Sequence, residues 1–343
     1  MSVLETTLCS QLSIESPIVQ APIGSVTCPE LAAAVSNAGG LGMLAVTWRD
    51  IDETRAVVRE TRNRTDEPFG VNLVLDPETA EIPTEEHLNV CLDAGVPIVS
   101  LSFGAAKPYV ERIHEAEATV MQSVGSAAAA RAAVDAGVDV IVAQGWEAGG
   151  HIQSEVATLP LVPRVVDAVP ETPVIAAGEI ADGRGIAAVL TLGAAGAWLG
   201  TRFVATNEAA AHEQYKQRIT EATETETAHT ELFDKGWPGT PHRTLRNSTI
   251  AQWEQAERPP PGQRPNETEK IAESASGKPL ERYGDDPPLP DTQGNVEAMA
   301  LYTGQSAGLV NGLPAADTVV NGLTAEAINA IETMAETAPG SQS

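Results

Sequence analysis

The stretch AAAARAAVDAGVDVIVAQGWEAGGH, residues 127–151, holds one complete helix-strand-loop unit. Ala127–Ala136 has a small-residue helical pattern, and Ala136-Gly137 supplies a left-handed stop. Val138–Ala143 is a short apolar run of strand length. The run ends in Gln144-Gly145-Trp146-Glu147-Ala148-Gly149-Gly150-His151, a glycine-flanked loop that presents an imidazole.

Outward from this unit the same alternation recurs from the N-terminus to about residue 220. Strands are expected at Ile18–Gln20, Gly42–Ala45, Gly70–Val74, Ile98–Leu101, Thr119–Ser123, Val138–Ala143, Val174–Ala176 and Ala197–Leu199. The expected helices are Pro29–Asn37, Asp50–Thr61, Glu85–Ala94, Pro108–Glu115, Ala127–Ala136, Leu159–Val169, Gly183–Leu192 and Asn207–Thr220. Each strand thus has a following helix. Pro29 at an early helical position and Leu192-Gly193 as a stop repeat the same punctuation. Eight such units favour a closed (β/α)8 TIM barrel over an open doubly wound sheet.

After Thr223 the alternation stops, and Pro259-Pro260-Pro261 and Asp286-Pro287-Pro288-Leu289-Pro290 punctuate a polar stretch. The expected division is a barrel at 1–223 and a C-terminal extension at 224–343 that completes or covers the active site. Leu232, Phe233, Trp237 and Trp253 would anchor that extension beside the barrel mouth, and a helix is expected from Thr324 to Ala335. A flexible linker over 225–295 is the rival reading.

The formal charge is −26, from 47 acidic and 21 basic residues, with Arg about three times as frequent as Lys. Such a surface repels nucleic-acid phosphates and anionic lipid, so neither partner is expected. The acidic residues are scattered, as on a solvated surface adapted to high salt. No apolar run is long enough for a transmembrane helix, and Cys9, Cys28 and Cys91 have no metal-ligand spacing. A reducing cytoplasm is the default. Cys28 falls near the expected site rim, where a small core residue and a reactive thiol are both open readings.

Ligands of parallel barrels sit at the carboxyl ends of the strands. Val174-Ile175-Ala176-Ala177-Gly178-Glu179 and Ala197-Trp198-Leu199-Gly200-Thr201 close the seventh and eighth strands. Glycines there serve tight turns. Gly178 and Gly200 on successive strand ends, with the Thr201 hydroxyl, also fit a phosphate cradle. Glu179 beside it would repel phosphate and must point away. Gln144 and Asn72 offer amide edges suited to a heterocycle, though either also serves as a turn residue. The rigid turn Gln20-Ala21-Pro22-Ile23-Gly24-Ser25 faces the same way. His151 is the candidate proton-transfer group. His87, His114, His212 and His229 read as solvated surface residues, and His242 is undecided. No His/Asp cluster suggests a metal.

These stretches resemble the nitronate monooxygenases (formerly 2-nitropropane dioxygenases), a family of FMN-containing barrels. The similarity is carried by Gln20–Gly24, Ala33–Gly42, Phe69–Leu73, Ala143–His151, Ala176–Gly185, Leu199–Phe203 and Met299–Ser306. The resemblance implies FMN held by Pro22, Ile23, Asn72, Gln144, Gly149, Gly150, Gly178, Trp198, Leu199, Gly200 and Thr201, with Gln305 and Ser306 closing over it. It implies His151 as the catalytic base and a reaction of a small-molecule substrate, an alkyl nitronate, with O2 that yields a carbonyl compound and nitrite. Two positions depart from the family pattern: Glu179 stands where Gly is usual, and Ile23 where Met is usual.

The histidine loop also resembles the flavin-dependent enoyl-acyl-carrier-protein reductases and NAD(P)H:quinone reductases. Steering an acidic carrier protein onto a chain of charge −26 is unfavourable. A non-catalytic flavin-binding barrel is the reading from another class. Oligomeric state stays open, with room for a homodimer.

Overall fold

The computed structural model describes residues 3–77, 79 and 82–337. Its elements alternate along most of the chain. The first half contains α1 (Thr7–Leu12), β1 (Ile18–Gln20), α2 (Pro29–Asn37), β2 (Gly42–Ala45), α3 (Ile51–Arg64), β3 (Phe69–Val74), α4 (Thr84–Asp93), β4 (Ile98–Ser102), α5 (Lys107–Glu115), β5 (Thr119–Val124) and α6 (Ala127–Asp135). The second half continues with β6 (Val140–Gln144), β7 (Gly150–His151), α7 (Thr158–Val166), β8 (Val174–Ala177), α8 (Gly183–Thr191), β9 (Gly196–Leu199), α9 (Thr201–Val204) and α10 (Glu213–Glu221). It ends with β10 (Thr227–Thr230), β11 (His242–Leu245), α11 (Ser248–Gln255), three short strands between Lys270 and Gly294, and α12 (Ala316–Thr337).

Eight strands pair in parallel in the order β1-β9-β8-β6-β5-β4-β3-β2. The ring closes where Leu41 N–H donates to the Ile18 carbonyl at 2.9 Å and Gln20 N–H donates to the Leu41 carbonyl at 2.9 Å. The expected (β/α)8 barrel is therefore present, with all eight strands at the expected places and no end shifted by more than two residues. Helix starts follow local chemistry. Asp50 and Glu53 form a capping box on α3, and the Ser126 and Asp182 side chains cap α6 and α8.

Inside the ring, Val19, Met43, Ile98, Met121, Val140 and Ile175 form one apolar cluster with Leu8, Cys9 and Leu12 of α1. That packing plugs the amino-terminal end of the barrel. Only the carboxyl end is left open to a ligand.

The eighth helical position differs from expectation. Residues 207–211 are not helical, and α10 begins after His212, whose side chain accepts from Gln214 N–H. The ring position is taken by α12, which packs against α8 and α2. Val320 and Leu323 share a core with Ile186, Val189, Leu31 and Val35. The Glu326 carboxylate accepts from the Gly183 N–H at 2.9 Å and so caps α8. A cut after residue 223 thus separates α12 from the ring that it completes. The helix expected at Thr324–Ala335 is the second half of α12.

Residues 227–245 form β10 and β11, which join β7 in an antiparallel three-stranded sheet across the mouth. Leu232, Phe233 and Trp237 are buried, and Trp253 packs on the same cluster. The stretch from 225 to 295 carries regular elements with a core of their own rather than an unstructured connector.

Candidate active site

A cavity of about 870 Å3 opens at the carboxyl ends of the barrel strands. Pro22 and Ile23 reach it from the turn after β1, Asn72 from β3 and Gln144 from β6. Gly149, Gly150 and His151 line it from the loop after β6, and Gly178 from the turn after β8. Trp198, Gly200 and Thr201 border it from β9, and Ser306 from the C-terminal segment. Two expected residues are placed otherwise. Leu199 is buried in the barrel wall, and its carbonyl accepts from Ala21 N–H. Gln305 turns its N–H to the Glu179 carboxylate at 2.6 Å and is not part of the lining.

The histidine loop is held by backbone closeness. A Cβ at Gly145 would lie 2.0 Å from Thr158 Oγ1, and one at Gly149 would lie 2.6 Å from Gly304 N. Glu147 ties the loop to α7 by accepting from Thr158 N–H at 2.9 Å and from its hydroxyl at 3.1 Å. Gln144 braces the far end: its amide donates to the His151 carbonyl at 3.1 Å and accepts from Gln153 N–H at 3.2 Å. Strand β7 then places His151 opposite His242 of β11.

The His151 ring lies 4.3 Å from Trp237, 5.2 Å from His242 and 5.3 Å from Tyr302, centroid to centroid. Its Nε2 is buried and has no hydrogen-bond partner in the protein. Burial, reinforced by His242 nearby, holds this imidazole well below its usual range, so it is neutral at physiological pH. A buried polar atom without a partner is costly unless a ligand satisfies it. Ser100 Oγ, also buried and unpartnered, borders the same cavity. Asn72 Nδ2 makes only a long contact of 3.5 Å to Ser102 Oγ. The floor therefore carries polar groups whose hydrogen-bonding capacity the protein leaves unused.

At the seventh strand end Gly178 has φ +110, a conformation that side chains disfavour. Glu179 follows at φ +60, which accounts for glycine as the more usual residue there. Its carboxylate turns to the Gln305 N–H. Burial pushes that carboxyl up to about 8, against the opposing pull of the Gln305 N–H and the Arg243 guanidinium, while Glu147 adds to the rise. A neutral carboxyl removes the repulsion that a phosphate would otherwise meet.

Several residues were not visible as a site in the sequence. Trp48, Phe103, Trp237 and Tyr302 line the cavity, and so do Ser100, Ser102 and Ser123. They come from segments far apart in the chain. His242 lies beside His151, and Arg243 stacks over Trp146 at 4.3 Å while donating to its carbonyl at 3.2 Å. His87, read as a surface residue, is buried, with its Nε2 donating to the Arg49 carbonyl at 2.8 Å. Cys28 lies outside this cavity. Its thiol donates to the Glu208 carbonyl, and burial pushes its pKa up, which keeps it protonated and unreactive.

The nitronate monooxygenase family profile matches residues 5–326. The chain belongs to the nitronate monooxygenase family. It is 35% identical to a nitronate monooxygenase of Paraburkholderia phytofirmans, over 90% of this chain and 91% of the relative. It is also 33% identical to the (3aS,4S,5R,7aS)-5-hydroxy-7a-methyl-1-oxo-octahydro-1H-indene-4-carboxyl-CoA dehydrogenase of Mycobacterium tuberculosis, over 96% of this chain and 98% of the relative. Among solved structures it superposes on FabK from Thermotoga maritima with a TM-score of 0.84 at 33% identity, covering 98% and 100% of the two chains. It superposes on the nitroalkane oxidase from Streptomyces ansochromogenes with a TM-score of 0.78 at 30% identity, covering 96% and 100%.

Membership makes the chain an oxidoreductase that uses a flavin. The cavity fits that group: unpartnered polar atoms on its floor and a glycine turn at φ +110 beside Thr201 suit a ring edge and a phosphate.

Proposed function

We propose that this chain binds FMN and oxidises alkyl nitronates with O2 to a carbonyl compound and nitrite. The observation that carries the reading is the neutral imidazole of His151, a residue of the cavity lining whose buried Nε2 has no partner in the protein. In this reading the phosphate rests on the backbone of Gly178, Gly200 and Thr201. Pro22, Ile23, Asn72, Gln144 and Gly149 would hold the ring, and FMN would supply one-electron chemistry toward O2.

The residues of the chain do the rest. A nitronate arrives already deprotonated, so it needs only to be oriented and shielded from water. With a neutral nitroalkane, His151 Nε2 takes the proton from the carbon that bears the nitro group, a task matched to a modest base. Gln144 holds the loop by the His151 carbonyl, and Trp237 packs against the ring to fix its plane. The segment between residues 224 and 315 supplies the cover over the site, through Trp237, Tyr302 and Ser306.

The resemblance of the histidine loop to flavin-dependent enoyl reductases supports a second reading, a flavin-dependent NAD(P)H oxidoreductase of that type. One experiment decides between them. Enzyme with bound flavin is mixed anaerobically with NADH, NADPH or an alkyl nitronate, and the flavin spectrum is followed. Bleaching by nitronate supports the first reading, and rapid bleaching by a nicotinamide with no response to nitronate overturns it. Within the first reading, His151→Asn should retain flavin and lose turnover of neutral nitroalkane far more than of preformed nitronate.

A further inference from the structure

One face of the cavity carries aromatic rings, of which only Trp237 touches the proton-transferring histidine. Trp48 from the loop after β2, Phe103 directly after β4 and Trp237 between β10 and β11 converge there from three segments. The Phe103 ring meets Trp237 edge-on at 4.5 Å, and Trp48 lies 6.0 Å from Trp237. Trp237, which is buried, in turn lies 4.3 Å from His151, so a run of ring contacts links the base to the more exposed Phe103 and Trp48. Aromatics make up only 4% of the chain, which makes this convergence more than a sample of composition.

Trp237 is itself buried and forms the backing, and two details show that Trp48 and Phe103 present surface in front of it. Trp48 keeps 45% of its surface exposed. Phe103 sits at φ +57, a region that bulky side chains rarely adopt, and its N–H is pinned by Gln153 Oε1 at 3.2 Å. The Trp237 indole is oriented by its N–H, which donates to Asp76 at 2.9 Å.

The opposite rim offers no free counter-charge for an anionic tail. Lys278 faces Asp286 at 3.7 Å and Lys235 pairs with Glu281 at 2.6 Å. Arg49, the other cation among the described lining residues, donates to the carbonyls of Thr27 and Ala45.

We propose that Phe103 and Trp48, backed by the buried Trp237, form a wall that is the subsite for an apolar chain or aryl group on the reacting carbon. The preferred substrates are then nitronates of several carbons rather than the smallest ones. This rests on the nitronate reading above, and the test separates the two.

The test uses holoenzyme and preformed straight-chain primary nitronates of increasing length, with kcat/KM measured for each. The expected result is a rise of about fourfold for each of the first added methylenes, the value for moving a methylene out of water. Trp48→Ala should flatten the outer part of that slope. Phe103→Asn should flatten the inner part, because asparagine tolerates the left-handed backbone while removing the ring. The slope is the readout, whatever happens to the rate on the shortest substrate. A wild-type slope of zero, or an unchanged slope in both variants, overturns the wall. If no nitronate is turned over, the nitronate reading fails. The wall is then judged by straight-chain alkyl carboxylates and quenching of tryptophan fluorescence, where affinity independent of chain length overturns it.

Discussion

His151 and His242 are register partners across β7 and β11, with ring centroids 5.2 Å apart, and their nitrogens are used in opposite ways. His242 Nδ1 donates to the Thr240 carbonyl at 3.1 Å, and its Nε2 accepts from the Phe233 N–H at 3.3 Å. Both of its nitrogens are occupied in a single neutral tautomer. His151 Nε2 is unpartnered. One histidine is therefore a fixed neighbour and the other is free to take a proton, while His242 adds to burial in disfavouring charge on His151.

The pH profile should show this. Burial, followed by His242, depresses the His151 pKa well below 6.5, so the base form dominates through neutral pH and beyond into mild acid. The kcat/KM for a neutral nitroalkane should stay level as pH falls through 6.5 and decline only at distinctly lower pH. Initial rates across that range check it, and an acid limb centred at or above 6.5 contradicts it.

Stability should follow the same sign. His242 is depressed from 6.5 to about 4, chiefly by burial, so the unfolded chain binds its proton first as pH falls. Its contribution is intact above 6.5 and is lost as pH drops from 6.5 toward about 4, at a slope of at most about 1.4 kcal/mol per pH unit. His242→Gln should lower stability at neutral pH by about 1–2 kcal/mol through the weakened Phe233 and Thr240 bonds. The same variant should lose less stability on acidification than the wild type. Thermal unfolding at neutral and acid pH measures both effects.

Glu179 carries the opposite sign. Its carboxyl is raised from 4.5 to about 8, first by burial, so as pH climbs the unfolded chain ionises before the folded one. Stability is lost as pH rises between those values. Glu179→Gln keeps an oxygen for the Gln305 N–H and cannot ionise. It should be nearly neutral at pH 4.5 and stabilise by about 1–3 kcal/mol at pH 7. A gain that does not grow with pH would show that the carboxyl ionises freely in the folded state.

Gly149 and Gly150 should respond unequally to alanine. A Cβ at Gly149 would press into the backbone of Thr303 and Gly304, at 2.8 Å and 2.6 Å, where no flexible side chain can give way. Gly149→Ala should cost about 1–3 kcal/mol and weaken flavin retention by displacing that segment. At Gly150 nothing lies within 4 Å, and the penalty is the φ of +75 alone. Gly150→Ala should cost about 1–2 kcal/mol and leave Gly304 in place. Thermal melts with a flavin titration separate the two.

The barrel was legible because each strand is bounded by its own stop signals, as at Gly137 and Gly193. The eighth ring position was not. Periodicity marks α12 as a helix but not its place, and a long excursion before it adds little closure entropy. His151 was legible from its glycine-flanked loop after an apolar strand. Trp48, Phe103 and Trp237 were not, since their meeting depends on the closed barrel and the β10–β11 sheet. His87 misled because Glu85 and Glu86 beside it are exposed, while its own side chain turns inward to the Arg49 carbonyl.

The acidic surface should make stability depend on salt even though no single ion pair decides it. Net charge is −26, and carboxylates such as Asp52, Glu53, Glu85 and Glu86 stand exposed on helices α3 and α4. Several pairs, including Arg55–Asp52 at 3.0 Å, are themselves exposed, so salt weakens them while it screens the larger repulsion. With so large an excess of one sign, the repulsion outweighs the pairs. Screening length falls from about 30 Å at 0.01 M to about 8 Å at 0.15 M salt. The melting temperature should therefore climb most steeply over that low range, with NaCl far more effective than sucrose at equal osmolality. A melting temperature that falls with NaCl would mean that the ion pairs, not the repulsion, dominate this surface.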